Sequence, residues 1–192
     1  MKKLNRKGFT LVELLAVIII LAVVVGITIP TILTTTANAK KKAFSTAATT
    51  AADWFDRQYQ SKLVGDTTLS AVDKNFTDYC NFSDDTPGTT DCGKVEGGKI
   101  NKLITDANLI MASGLSSTNV DKMVVKFNNG RSCVMLHAKD NGDYKGSGNY
   151  EYEIAGKKNT DKEITYGGNC SDTNLTDMYT SINSGTESGK TS

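Results

Sequence analysis

Four cysteines, one histidine and two glycine-rich stretches are the residues of this 192-residue chain whose types and spacing suggest site chemistry. Cys80, Cys92, Cys133 and Cys170 are even in number and all follow one long apolar stretch, a usage suited to disulfides in an oxidising compartment. Three pairings are open. Cys80 with Cys92 and Cys133 with Cys170 is preferred, because the first closes a loop containing Pro87-Gly88 and the second pins the C-terminal segment to a hairpin. A structural zinc site is the rival use, but no C-x-x-C pair exists and His137 is the only histidine. With no partner serine, cysteine nucleophile or second histidine, His137 reads as a surface residue. Gly93-Lys94-Val95-Glu96-Gly97-Gly98-Lys99 has phosphate-loop spacing, yet Ile100 stands where the metal-binding hydroxyl belongs and no buried strand precedes it. Asp140-Asn141-Gly142-Asp143, followed by Gly146, Gly148 and Asn149, offers hard oxygen ligands, so Asp140 and Asp143 are the calcium candidates. The EF-hand ligand spacing is missing, and a solvated turn is preferred. Asn-x-Ser/Thr matches at Asn75, Asn81, Asn169 and Asn174 are chance expectations in an Asn/Thr-rich chain. No catalytic constellation emerges, so neither an enzyme nor a resident cofactor is expected.

The elements behind these residues are unevenly distributed. The chain is 39% hydrophobic and 22% charged, with 22 basic and 21 acidic residues, which excludes a strongly basic nucleic-acid binder. Most of the strongly apolar residues sit in one block, which also excludes a multi-span membrane protein. Leu14 to Ile27 is uninterrupted apolar sequence, and Ile29, Ile32 and Leu33 extend it to roughly 20 residues, the length of one membrane-spanning helix. Lys2, Lys3, Arg6 and Lys7 precede it and should stay in the cytoplasm, although Lys40, Lys41 and Lys42 at the other end narrow the margin. Removing residues 1–8 would take away these four positive charges and no negative one, so the formal net charge of +1 would become −3.

Two ways of processing this segment compete. A secretory signal peptide would use a small-residue site such as Ala37-Asn38-Ala39. The apolar stretch is too long for that pattern, and it opens on a carboxylate, Glu13, which a disposable signal has no reason to carry. The second reading rests on Arg6-Lys7-Gly8-Phe9-Thr10-Leu11-Val12-Glu13-Leu14-Leu15, which resembles the type IV pilin and pseudopilin family over about residues 3 to 35. The resemblance implies a leader, residues 1–8, that a prepilin peptidase removes between Gly8 and Phe9, followed by N-methylation of Phe9. Glu13 and Pro30 fall where the family places a glutamate and a proline, and because an ionised carboxylate at the edge of an apolar span needs a partner, Glu13 is expected to act in assembly. Some pseudopilins hold calcium in a loop that the Asp140 turn resembles.

The helix should outlast the span. Phe44, Ala47, Ala48, Ala51, Trp54, Phe55, Tyr59 and Leu63 recur at spacings of three and four, opposite Lys42, Thr46, Asp53, Asp56, Arg57 and Gln60. A helix from about Phe9 to Lys62 would extend roughly 80 Å, with its weak points at Gly26 and Pro30. After Gly65 a loop region rich in Asp, Thr and Gly is expected, then a helix from about Lys99 to Met111. Asn129-Gly130 suits the mirror-image turn of a tight hairpin, which sets Val125 opposite Val134 and Met123 opposite Leu136. Phe127 shares their face. Tyr150 to Ile154 and Glu163 to Tyr166 read as further strands, and Leu175, Met178, Tyr179 and Ile182 as a C-terminal helix.

The expected fold is therefore α+β and pilin-like: a long N-terminal helix, its first half membrane-spanning, packed on an antiparallel sheet of about four strands. The segments would be 1–8 leader, 9–33 span and assembly helix, 34–183 extracytoplasmic domain and 184–192 flexible tail. What the resemblance implies is a structural subunit of a type IV pilus, single-pass in the bacterial cytoplasmic membrane with its N-terminus inside, then part of a surface filament. Its partners would be copies of itself, related pilins, the prepilin peptidase and a membrane assembly platform driven by a cytoplasmic ATPase; nucleic acid is not among them. The alternatives are a pseudopilin of a type II secretion or competence DNA-uptake system, and a secreted or anchored disulfide-bonded binding domain.

Overall fold

A computed structural model describes residues 8–65, 76–81 and 115–184. The elements are α1 (Leu11–Gly65), β1 (Phe76–Asn81), β2 (Val120–Asn128), β3 (Arg131–Ala138), β4 (Tyr150–Ile154), β5 (Lys157–Asp161), β6 (Ile164–Gly168) and α2 (Asp172–Ser184). The chain divides into two compact units, Met1–Ala39 and Lys40–Ser192.

In the first unit every described residue is exposed, including Leu14 at 63% and Ile27 at 68%. The helix there is long and apolar enough to cross a membrane. The α-helix continues across Gly26 and Pro30. Because proline has no N–H, the Gly26 carbonyl four residues earlier loses its helical donor. Threonine hydroxyls on the same stretch bond back to the helix, Thr31 Oγ1 to Ile27 O at 3.3 Å and Thr35 Oγ1 to Thr31 O at 2.8 Å, so they present no unpaired donor to an apolar medium.

In the second unit α1 becomes one-sided. Phe44, Ala48, Ala51, Ala52, Phe55 and Tyr59 are buried, while Lys42, Thr46, Asp53, Arg57 and Gln60 are exposed. The buried stripe lies on the sheet face formed by Met123, Val125, Phe127, Val134 and Leu136, the face that the alternation predicts. The β2–β3 register pairs Met123 with Leu136 and Val125 with Val134, set by a two-residue turn with Asn129 at φ 52° and Gly130 at φ 76°. Helix and sheet approach closely at Gly167, where an added Cβ would collide with the backbone of Ala48 and Thr49.

Several expectations need correction. The loop region after Gly65 contains β1, which pairs antiparallel with β2, Phe76 opposite Phe127 and Cys80 opposite Met123. The main sheet is β1-β2-β3-β6, and β4 lies outside it, in a two-stranded ribbon with β5. A second mirror-image turn, Ala155 at φ 52° and Gly156 at φ 77°, makes that ribbon. The other face of the β2–β3 hairpin is not open either. Val124, Cys133 and Met135 are fully buried there with Met178 and Ile182 of α2, because α2 covers the sheet opposite α1. Ser184, expected as the start of a flexible tail, is the last residue of α2. The helix expected at Lys99 to Met111, the phosphate-loop look-alike, Cys92 and residues 185–192 lie outside the described residues.

Candidate functional site

The chemistry-bearing N-terminus is built from four residues before and inside the first turn of α1. Gly8, Phe9 and Thr10 precede the helix without regular structure, Phe9 is 89% exposed, and nothing lies within 4 Å of where a Gly8 side chain would begin. The Gly8–Phe9 peptide bond is thus exposed, in a segment without regular structure. Thr10 caps the helix. Its N–H donates to Glu13 Oε2 at 2.8 Å, its hydroxyl donates to the same oxygen at 2.9 Å, and Glu13 N–H donates back to Thr10 Oγ1 at 3.3 Å. This reciprocal box satisfies backbone donors that a helix start leaves free, and a carboxylate is favoured at this positive end of the helix dipole. The role of Thr10 was missed, although Thr-x-x-Glu before an apolar run carries that signal.

The sheet unit holds the other candidates. Cys133 and Cys170 form a disulfide, sequence separation 37, that ties β3 to the segment entering α2. Lys126 Nζ donates to Asp177 Oδ2 at 2.8 Å, a second tie between the sheet and α2. His137 is half-buried rather than a surface residue: its Nδ1 is 2.6 Å from Asp121 Oδ1, which engages the imidazole in a strand-to-strand pair. Asp140 Oδ1 accepts from Lys145 Nζ at 3.0 Å, whereas Asp143 contributes its backbone N–H to Asn119 Oδ1 at 2.9 Å. That lysine hydrogen bond and its charge hold the Asp140 carboxyl below its ordinary value. The Asp140 carboxylate is thus paired within the turn, and among the described residues no three His, Cys, Asp or Glu side chains converge as a metal site. Sequence reasoning also left a tyrosine-lined cavity between β4 and α2 unanticipated.

Residues 3–29 match a family model described as the prokaryotic N-terminal methylation motif. No curated protein and no solved structure matches the chain. The matched residues take in Gly8, Phe9, Glu13 and most of the apolar stretch of α1, so the chain carries the N-terminal signature of the type IV pilins and pseudopilins.

Proposed function

We propose that this chain is a structural subunit of a type IV pilus or pilus-like filament, held in the cytoplasmic membrane by residues 9–33 until it is assembled. In this reading a prepilin peptidase removes residues 1–8, Phe9 becomes a methylated N-terminal amine, and the apolar helix moves from lipid into a helical core of neighbouring subunits. The observation that carries it is the methylation motif on a helix start whose apolar residues are exposed among the described residues. An apolar surface of that extent is covered in the cell by lipid or by other helices. Mass spectrometry of the N-terminus is the direct test: the mature chain should begin at methylated Phe9. A start at Lys40 would eliminate the filament reading, because the assembly helix would be gone.

Assembly follows from electrostatics. An ionised carboxylate at the edge of an apolar span is costly unless paired, and the amine created at Phe9 is the one cation of the span before Lys40. Glu13 pairs with that amine on a neighbouring subunit in a head-to-tail, non-closing array, the symmetry that makes fibres. The capping box gives Glu13 a competing role within its own chain, and two variants separate the roles. Glu13→Ala removes both box and charge, whereas Glu13→Gln keeps an acceptor for Thr10 and removes only the charge. Both should be exported, cleaved and folded, yet build few or no filaments. Normal filaments from Glu13→Gln, with no other subunit present to supply the carboxylate, would overturn the charge pair and leave the cap as the reason for the residue.

A further inference from the structure

Between β4 and α2 lies a cavity of about 560 Å3 whose walls include Tyr150, Tyr152 and Tyr179. The three rings are close to parallel: Tyr150 and Tyr179 stack at 4.7 Å and 19°, Tyr152 and Tyr179 at 5.1 Å and 28°, and Tyr150 and Tyr152 at 6.0 Å and 17°. Tyr150 is buried and its hydroxyl donates to Leu175 O at 3.2 Å, which anchors the floor. The Tyr179 hydroxyl donates to Asp161 Oδ2 at 3.2 Å, so the half-buried ring is fixed by β5. Glu151, Glu153 and Asp172 also line the cavity and are exposed, and among the described residues no lysine or arginine lines it. Lys158 Nζ lies 3.9 Å from Glu151 Oε2, both side chains largely in water, so the pair is loose and screened. Glu153 and Asp172 have no ion-pair partner among the described residues.

We propose that this cavity binds a small organic cation, an alkylammonium group set against the tyrosine rings and held by the carboxylates of Glu151, Glu153 and Asp172. The rings cover one another in the stack, and the parts of Tyr152 and Tyr179 that stay exposed to the cavity attract a cation through the ring quadrupole, more strongly where water is partly excluded. The carboxylates add a field of the same sense. Burial first, then the charges of Tyr166 and Asp172, push the Tyr150 phenol above its ordinary value; burial, then Tyr152 and Asp161, push up that of Tyr179. Both phenols stay neutral at physiological pH, and the acidic neighbours that oppose a phenolate favour a cation in the same place. The same acids repel a phosphate, so a free alkylammonium is preferred over a phosphocholine head group. This site is independent of the filament reading and stands or falls separately.

Calorimetric titration of the full-length chain in non-ionic detergent tests it, with choline, its neutral isostere 3,3-dimethyl-1-butanol, and phosphocholine as probes. Choline should bind saturably, the neutral isostere about tenfold more weakly or not at all, and phosphocholine more weakly than choline. Tyr152→Leu should weaken choline binding about tenfold. The surface variant Glu153→Gln with Asp172→Asn, which leaves the packing untouched, should weaken it too and flatten its salt dependence. An absence of saturable choline binding would overturn the proposal. So would equal affinity for the neutral isostere, phosphocholine binding as tightly as choline, or unchanged affinity in the surface variant.

Discussion

Residues 11–39 and residues 44–59 belong to one helix, and both are rich in apolar side chains, yet the first stretch is exposed on every side and the second is buried along one stripe. The difference lies in the pattern. Where apolar residues circle the helix, no single layer of the same chain can cover them, so their partner must come from outside: lipid, or other helices. Where Phe44, Ala48, Phe55 and Tyr59 alternate with Asp53, Arg57 and Gln60, the sheet of the same chain suffices. Truncation of an apolar side chain to alanine should therefore act differently in the two stretches. Phe55→Ala should lower the stability of the sheet unit by about 3–5 kcal/mol, the cost of a cavity at a fully buried aromatic. Val24→Ala should leave the unfolding midpoint of that unit unchanged in detergent and act only on membrane insertion or assembly. Urea unfolding followed by near-ultraviolet dichroism checks both, and a Val24→Ala loss comparable to that of Phe55→Ala would sink the contrast.

The comparison sharpens when the covalent tie is cut. The Cys133–Cys170 disulfide closes a separation of 37 residues in the second unit alone. By chain-entropy reasoning its loss costs about 3–4 kcal/mol. Cys133→Ala with Cys170→Ala should lower the urea midpoint of the sheet unit accordingly while the helicity of the apolar stretch in detergent persists. An unchanged midpoint would mean that Met178, Ile182 and the Lys126–Asp177 pair hold α2 on the sheet without the staple.

How much of this was legible depends on how local the determining physics is. The hairpin register was readable to the residue, because Asn129-Gly130 takes two consecutive positive φ values and a two-residue turn leaves no freedom of register. Ala155-Gly156 makes the same turn with only the glycine as a signal, and its second strand, Lys157–Asp161, has no apolar residue to mark it. β1 hid for a related reason: Phe76-Thr77-Asp78-Tyr79-Cys80-Asn81 pairs through its backbone with β2, a partner some forty residues away. The second core was foreshadowed by the unbroken runs Met123-Val124-Val125 and Cys133-Val134-Met135-Leu136, since a strand with one wet face alternates and a strand buried on both faces does not. The N-terminal site was legible as a motif because it is contiguous. The tyrosine cavity was not, because it forms only when β4 and α2 meet.

The smallest effect belongs to the turn at Asp140, where oxygen-rich sequence suggested a cation and the structure supplies one of its own, Lys145. The lysine lowers the folded pKa of Asp140 below the ordinary value of 3.8. Stability from a depressed carboxyl is fully present above the unfolded value and is lost as pH falls through the folded one. Because both side chains stand in water, the contribution is slight, and the useful quantity is a difference. Wild type and Lys145→Met should differ in melting temperature near neutral pH, and the difference should close below about pH 3.8, as Asp140 becomes protonated and the lysine has no anion left to meet. With the Asp140 carboxylate already paired to Lys145 and the Asp143 N–H given to Asn119, calcium would have to displace the lysine to bind in this turn. Calcium and chelator should accordingly leave the melting temperature where it is. A calcium-dependent rise, abolished by Asp140→Asn with Asp143→Asn, would show instead that the ion displaces Lys145 and pulls both carboxylates inward, making the turn a switch between an internal and an external cation.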